Sequence, residues 1–220
     1  MSELIRCWTS SDPLYDVYHD EEWGRPVRDE RGLYERLCLE GFQSGLSWLT
    51  ILRKREGFRG AFEGFDPDRV ARFGERDVER LLADASIVRH RGKIEAAVAN
   101  ARATVALRES TPLHELFWSY APSSHRPPRA QGDWQGATPE SSALAKELRR
   151  HGFRFVGPTT VYAAMQACGV VNDHLAGCWV RDAVEAERQS AVGSVGSTKA
   201  STATGARQSA KSATAHRAES

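Results

Sequence analysis

The sequence predicts an all-α domain over residues 1–185, and three observations carry that prediction. Apolar residues recur at steps of three and four, helix-opening pairs such as Asp12-Pro13 and Asp66-Pro67 punctuate the chain, and no segment sustains the two-residue alternation of a half-buried strand. At 220 residues, with 40% hydrophobic and 27% charged side chains, the chain is long enough for one well-buried core.

The elements follow in chain order. Asp12 as N-cap, with Pro13 at the first helical position, opens the first helix. Leu33, Leu37, Glu40 and Ser44 fall on one face of a second. Asp66-Pro67 starts a short helix and Glu75 to Ala83 forms another. Ile94, Val98, Ala101 and Val105 stripe a long helix that Thr111-Pro112 ends. A polar loop, Pro122 to Pro139, precedes a helix over Ser141 to Arg150. The stretch His151-Gly152-Phe153-Arg154-Phe155-Val156-Gly157 then turns into a helix opening at Pro158. Two helices joined in this way can aim backbone N–H groups at a phosphate, although any tight helical hairpin uses glycine. Beyond the domain, residues 186–220 read as a disordered tail. Between Ser190 and Ser220, 22 of 31 residues are Ser, Ala, Thr or Gly and none is aromatic, too little apolar surface to offset the entropy of ordering.

Composition also restricts function. No apolar run approaches the roughly 18 residues that span a bilayer, and the N-terminus has no apolar stretch of signal-peptide length. The expectation is a cytoplasmic protein with no membrane partner. Disulfides are disfavoured there, so the four cysteines read as metal ligands or core residues. The net charge of +1 points to no partner. Its distribution is uneven: acidic residues crowd Asp16 to Glu22, whereas Arg89-His90-Arg91-Gly92-Lys93 and Arg149-Arg150-His151 are basic.

Two sets of residues could carry chemistry. Cys7 and His19 are separated by eleven residues, and His174 and Cys178 by three. Such a set suits tetrahedral zinc that clamps the two ends of the domain. Without a C-x2-C pair, spacing alone leaves a second reading open, with two buried cysteines and two surface histidines. Four protein ligands leave no position for water, so a zinc ion there would be structural. Glu40 is the other feature. A carboxylate on an apolar helix face is costly unless paired, and often marks a functional pocket; it can also sit at the stripe's edge and reach solvent. Trp8, Tyr15, Tyr18, Trp23 and Trp48 flank it in sequence, as core residues or as a stacking cage for a flat, electron-poor ligand.

A series of longer motifs narrows these alternatives. Asp12-Pro13-Leu14-Tyr15 with Tyr18-His19-Asp20-Glu21-Glu22-Trp23-Gly24 resembles the N-terminal signature of the type I 3-methyladenine DNA glycosylases. Cys38-Leu39-Glu40-Gly41, Gly45-Leu46-Ser47-Trp48, Arg89 to Ile94, Gly152 to Gly157, Met165-Gln166-Ala167-Cys168-Gly169 and Val171-Asn172-Asp173-His174 extend the resemblance in order over residues 6–180. It implies a helix-hairpin-helix DNA glycosylase fold, with the hairpin unit at about 141–170, and one structural zinc ion on Cys7, His19, His174 and Cys178. It also implies a base pocket of Glu40, Tyr15, Tyr18, Trp48 and Trp8, with Glu40 as the catalytic or base-recognising carboxylate. DNA contacts fall to Arg154, Val156, Gly157 and Thr159. The substrate would be double-stranded alkylated DNA with a flipped 3-methyladenine, hydrolysed to free base and abasic site by a monomer. The match departs from the family between Cys7 and Tyr15, one residue short, which bears on where Trp8 sits. Lyase relatives carry a lysine where Thr159 stands, so the resemblance implies no lyase step. Asn172 stands where other members of the wider superfamily carry a catalytic Asp; Asp173 is expected to orient His174.

Overall fold

In the computed structural model, which describes residues 5–192, every regular element is a helix. Side-chain caps set most helix starts. The Asp12 carboxylate accepts from Leu14 N at 3.0 Å to open α1 (Pro13–Glu21), and Asp29 accepts from Gly32 N at 2.7 Å to open α2 (Glu30–Gln43). Ser47 caps α3 (Trp48–Ala61), Asp66 caps α4 (Pro67–Val70), and His90 caps α6 (Arg91–Leu107). Between the last two lies α5 (Glu75–Ala83), and α7 (Leu113–Trp118) follows α6. The hairpin is α8 (Pro139–Arg150) and α9 (Pro158–Ala167). A last helix, α10, runs over 181–192.

Three sequence expectations change. Helix α8 opens two residues early, because Thr138 and Ser141 exchange side-chain-to-backbone bonds of 3.2 and 2.9 Å in a capping box. Ser44 is not on the α2 face; it is the exposed C-cap, and its carbonyl accepts from the Lys93 ammonium at 2.5 Å. Helix α10 passes the expected boundary at 185 by seven residues. It is tied down by the Arg25–Glu187 ion pair and by Arg28 donating to the Ala191 carbonyl. Residues 193–220, most of the predicted tail, lie outside the described residues. Helix α7 is six residues long and α10 has few apolar residues, so neither has a strong sequence signal; α3, with Trp48, Ile51, Leu52 and Phe58 buried, was missed from sequence although it has one.

Helix α2 is the centre of the molecule. From Leu37 to Phe42 every residue is buried, because α3, α6, α7 and α9 all pack on it. The amphipathic reading of α2 therefore holds only for its first half. Lys93 supports its C-terminal end, donating 2.9 Å to the Phe42 carbonyl where helix carbonyls lack partners. Phe42, Phe58, Phe62 and Phe65 stack into an aromatic cluster between α2 and α3. Cys38 and Cys168 are fully desolvated thiols in this core, each pushed up to about 12 by burial.

Gly169 joins the hairpin to the N-terminal half. Its φ is +73°, and a Cβ there would lie 2.5 Å from the Gly24 carbonyl oxygen and 2.8 Å from the Pro26 nitrogen. Both contacts are backbone, so neither can swing aside. Gly169→Ala should destabilise the protein by about 3 kcal/mol, combining left-handed strain with the clash. A denaturant midpoint unchanged from wild type would contradict this.

Candidate active site and metal centre

The aromatic residues of α1, the turn before it and the start of α3 converge on Glu40. Trp8, Tyr15, Tyr18, Trp23, Glu40, Gln43, Trp48, Trp134, Ala163 and Gln166 line a cavity of about 200 Å³. Trp8 lies 5.1 Å from Tyr15 and 5.0 Å from Trp23 between ring centroids, and Tyr18 lies 5.4 Å from Trp48. The short Cys7–Tyr15 segment therefore still delivers Trp8 to the wall. Two of the lining residues, Trp8 and Trp48, have indole N–H groups buried with no hydrogen-bond partner among the described residues. An unpaired buried donor of this kind costs stability.

Glu40 is 6% exposed. No hydrogen bond reaches its carboxylate among the described residues, and burial pushes it up to about 8, partly offset by the positive charge of Arg36. Arg36 stands one turn earlier on α2 and is itself committed to Glu22, 2.8 Å away, which also holds Arg55 at 2.6 Å. The cavity thus has aromatic walls and one uncommitted carboxyl group. Trp134, Gln43, Ala163 and Gln166 were not assigned to it from sequence. Gln166 stands within a quoted motif, whereas Trp134 comes from the polar loop and carries no spacing signal.

Behind this cavity, Cys7, His19, His174 and Cys178 bring their donor atoms within 4.8 Å of one another, all four residues buried. The Sγ of Cys7 is 3.4 Å from His174 Nδ1, and the Sγ of Cys178 is 3.5 Å from both His174 Nδ1 and His19 Nε2. Tetrahedral zinc, with bonds of about 2.3 Å to sulfur and 2.0 Å to nitrogen, would separate such donors by about 3.5 Å. The residues fit that ion. Their outer partners fit too. His19 Nδ1–H faces Asp20 Oδ1 at 2.8 Å and His174 Nε2–H faces the Trp23 carbonyl at 2.9 Å, leaving the other ring nitrogens to ligate. Asp20, which also receives Arg6 at 2.8 Å, was missed from sequence although it follows His19 directly.

Asp173 does not orient His174, contrary to expectation. Its Oδ2 accepts from the Tyr162 hydroxyl at 2.8 Å and from Gln166 Nε2 at 2.6 Å, and its Oδ1 lies 2.7 Å from His125 Nε2. The backbone turns the carboxylate away from the thiols toward α9. Asn172 is wholly buried and bridges to α10, donating 3.1 Å to the Arg181 carbonyl and 3.0 Å to Glu185.

On the other side of α9, the hairpin turn is rigidly held. Asn100 accepts from Arg154 N at 2.7 Å and donates to the Arg154 carbonyl at 3.1 Å. That fixes the Arg154 backbone, so its own N–H is spent. Val156, Gly157 and Thr159 have backbone N–H groups with no partner among the described residues, at the start of α9. Phe155 there has φ +54° and is 43% exposed, an uncommon conformation for an aromatic residue. The basic cluster near residue 90 is mostly committed elsewhere. Arg91 pairs with Glu75 and Glu79, and Lys93 is buried under α2, leaving Arg89 exposed.

Comparison with known proteins places this geometry among relatives. The methyladenine glycosylase family profile matches residues 8–182. The chain is 50% identical over 181 residues to DNA-3-methyladenine glycosylase 1 of Escherichia coli, covering 80% of this chain and 96% of the relative. It is 41% identical over 179 residues to DNA-3-methyladenine glycosylase of Haemophilus influenzae, covering 79% and 96%. Among solved structures, a 3-methyladenine DNA glycosylase I superposes with a TM-score of 0.77 at 49% identity, over 80% of this chain and 98% of that one. The Staphylococcus aureus enzyme, described for its recognition of 3-methyladenine, gives a TM-score of 0.75 at 35% identity over 78% and 93%.

Proposed function

The chain belongs to the methyladenine glycosylase family and is a DNA-3-methyladenine glycosylase, and from that premise we propose that Glu40 and the aromatic cavity around it bind the flipped base. The observation that carries the proposal is the buried carboxyl group of Glu40, free of protein hydrogen bonds, inside a cavity of about 200 Å³ walled by indole and phenol rings. No helix of the described residues is long and apolar enough to cross a membrane.

Methylation at N3 gives adenine a positive charge and makes it a good leaving group. The enzyme's task is then selection more than acid catalysis. The duplex nucleotide is flipped out and its base enters the cavity. Trp48 and Tyr18 stack on the cation, whose charge strengthens contact with an aromatic face. Glu40 accepts from the adenine edge, and its ionised form favours a cationic base over a neutral one. Water attacks the sugar as the glycosidic bond breaks, leaving an abasic site. Thr159 has no amine to form a Schiff base, so the strand stays intact and borohydride should trap no protein–DNA adduct.

The zinc ion belongs on Cys7, His19, His174 and Cys178, where it supplies no chemistry at the base. Bound there, it would pin the N-terminal segment that carries Trp8 to the loop before α10. The unpaired N–H groups of Val156, Gly157 and Thr159 form the phosphate seat of a helix-hairpin-helix unit. Pro158 offers no N–H, so the neighbours carry that contact. Arg154→Ala should weaken binding to all duplex sequences alike and reduce the salt dependence by about one counterion. Affinity measured across a salt series, with an unaltered slope, would remove Arg154 from the interface.

The deciding experiment is chromatography of bases released from methylated duplex DNA. Release of 3-methyladenine supports the reading. Tight DNA binding without release would make the protein a damage-binding module.

A further inference from the structure

Gln166 lines the same cavity as Glu40, from the opposite helix, and has no place in the reaction described so far. Its amide is not free to turn. Nε2 donates to Asp173 Oδ2 at 2.6 Å, and the same oxygen accepts from the Tyr162 hydroxyl at 2.8 Å. A carboxylate held among donors accepts only, so it binds the amide through its NH2 end. The amide oxygen is left without a protein donor among the described residues, on a side chain that borders the base cavity. Asp173 is 4% exposed and Tyr162 is 3% exposed, so solvent does not compete for this arrangement.

We propose that Gln166 is a specificity-determining residue: its amide oxygen, aimed by Asp173, accepts a hydrogen bond from the exocyclic amine of adenine and rejects 3-methylguanine. The inference rests on the cavity being the base pocket. Adenine presents a two-hydrogen amine at the position where guanine presents a carbonyl oxygen. Glu40 takes one N–H of that amine and Gln166 the other. With guanine, the Gln166 oxygen would face another acceptor in a site from which water is largely removed, and it would lose its partner. Discrimination here depends on a mismatch of donors and acceptors rather than on cavity size. Asp173 is the positioning residue. Without its carboxylate the amide can rotate and present N–H to a guanine oxygen.

The test uses the full chain on methylated duplex DNA, with release of 3-methyladenine and 3-methylguanine quantified together. Gln166→Met keeps length without an acceptor, and Gln166→Ala removes the group. Either should lower the adenine-to-guanine release ratio about tenfold while DNA affinity stays at its wild-type value; the melting temperature should fall by a few degrees, because the buried Asp173 carboxylate loses a donor. Asp173→Asn should lower the ratio in the wild-type background and have no further effect on it in the Gln166→Met background, which a purely structural role would not produce. A wild-type ratio in both Gln166 variants overturns the proposal. An equal drop from Asp173→Asn in both backgrounds overturns the positioning role. Release of neither base by the wild-type protein would instead overturn the reading of the cavity, a failure distinguishable from these.

Discussion

Glu40→Gln should keep fold and DNA affinity while lowering 3-methyladenine excision by about 10²- to 10³-fold, the range set by removing one preorganised electrostatic group. The amide is isosteric and can still accept, so what it loses is charge. The pH profile separates this from a packing effect. Burial pushes the Glu40 carboxyl up to about 8, so in the base-free protein it is mostly protonated at pH 7. If the ionised form selects the cation, kcat/KM should rise with pH up to about 8 and level off above it, and the Gln variant should show no such rise. Stability should move the other way. The folded protein holds this proton more tightly than the unfolded chain, whose carboxyl titrates near the ordinary value of 4.5. Stability contributed by the group is therefore fully present below about 4.5 and is lost as pH rises toward about 8. Gln pays no such desolvation, so Glu40→Gln should melt at least about 5 °C above wild type at pH 8.5 and close to it at pH 4.5. A variant with wild-type excision and the same pH profile would take Glu40 out of the mechanism.

The contrast between Glu40 and its surroundings also shows what was legible in the sequence. Helix starts were, because Asp12, Asp66 and Pro158 mark them chemically within two residues. The Cys/His cluster was legible as a set of residue types but not as a geometry. Its four members span 172 residues from Cys7 to Cys178, and only packing brings their donor atoms within 4.8 Å. The pocket wall from Trp134 and Gln166 was not legible. Both are placed by hydrogen bonds to Asp173, Trp134 Nε1 to its carbonyl at 2.9 Å and Gln166 Nε2 to its carboxylate at 2.6 Å. Such a junction joins a polar loop to α9 through one residue, and periodicity carries no trace of it. The same junction is why Asp173 was misassigned. Adjacency to His174 suggested a metal partner, but neighbouring side chains in an irregular segment point to different faces. Nor does the basic run Arg89 to Lys93 show which of its members is buried: Lys93 is, because the C-terminal carbonyls of α2 accept from it.

Cys178→Ser should abolish stoichiometric zinc and lower the melting temperature by about 10 °C or more, since structural zinc contributes roughly 10–16 kcal/mol of binding free energy that exists only in the folded state. The ion would close a ring between chain ends. Trp179 N donates to the Ile5 carbonyl at 3.1 Å and Gln131 Nε2 to the Cys7 carbonyl at 2.8 Å, but these bonds hold a segment with little buried apolar surface of its own. Loss of a metal there would therefore free residues 5–12, and with them Trp8, which packs 4.7 Å from the His19 ring and forms one wall of the Glu40 cavity. Excision should fall together with stability, through a raised KM for the damaged base, rather than through loss of a turnover step. Cys38→Ser and Cys168→Ser are the controls, because both thiols lie in the apolar core away from the cluster. They should destabilise the fold while retaining one zinc per chain by metal analysis. Full zinc content in Cys178→Ser would rule out the ligand assignment. Turnover that vanishes on chelation with melting temperature unchanged would rule out a structural metal, and would return catalysis to a centre whose four protein donors leave no open position.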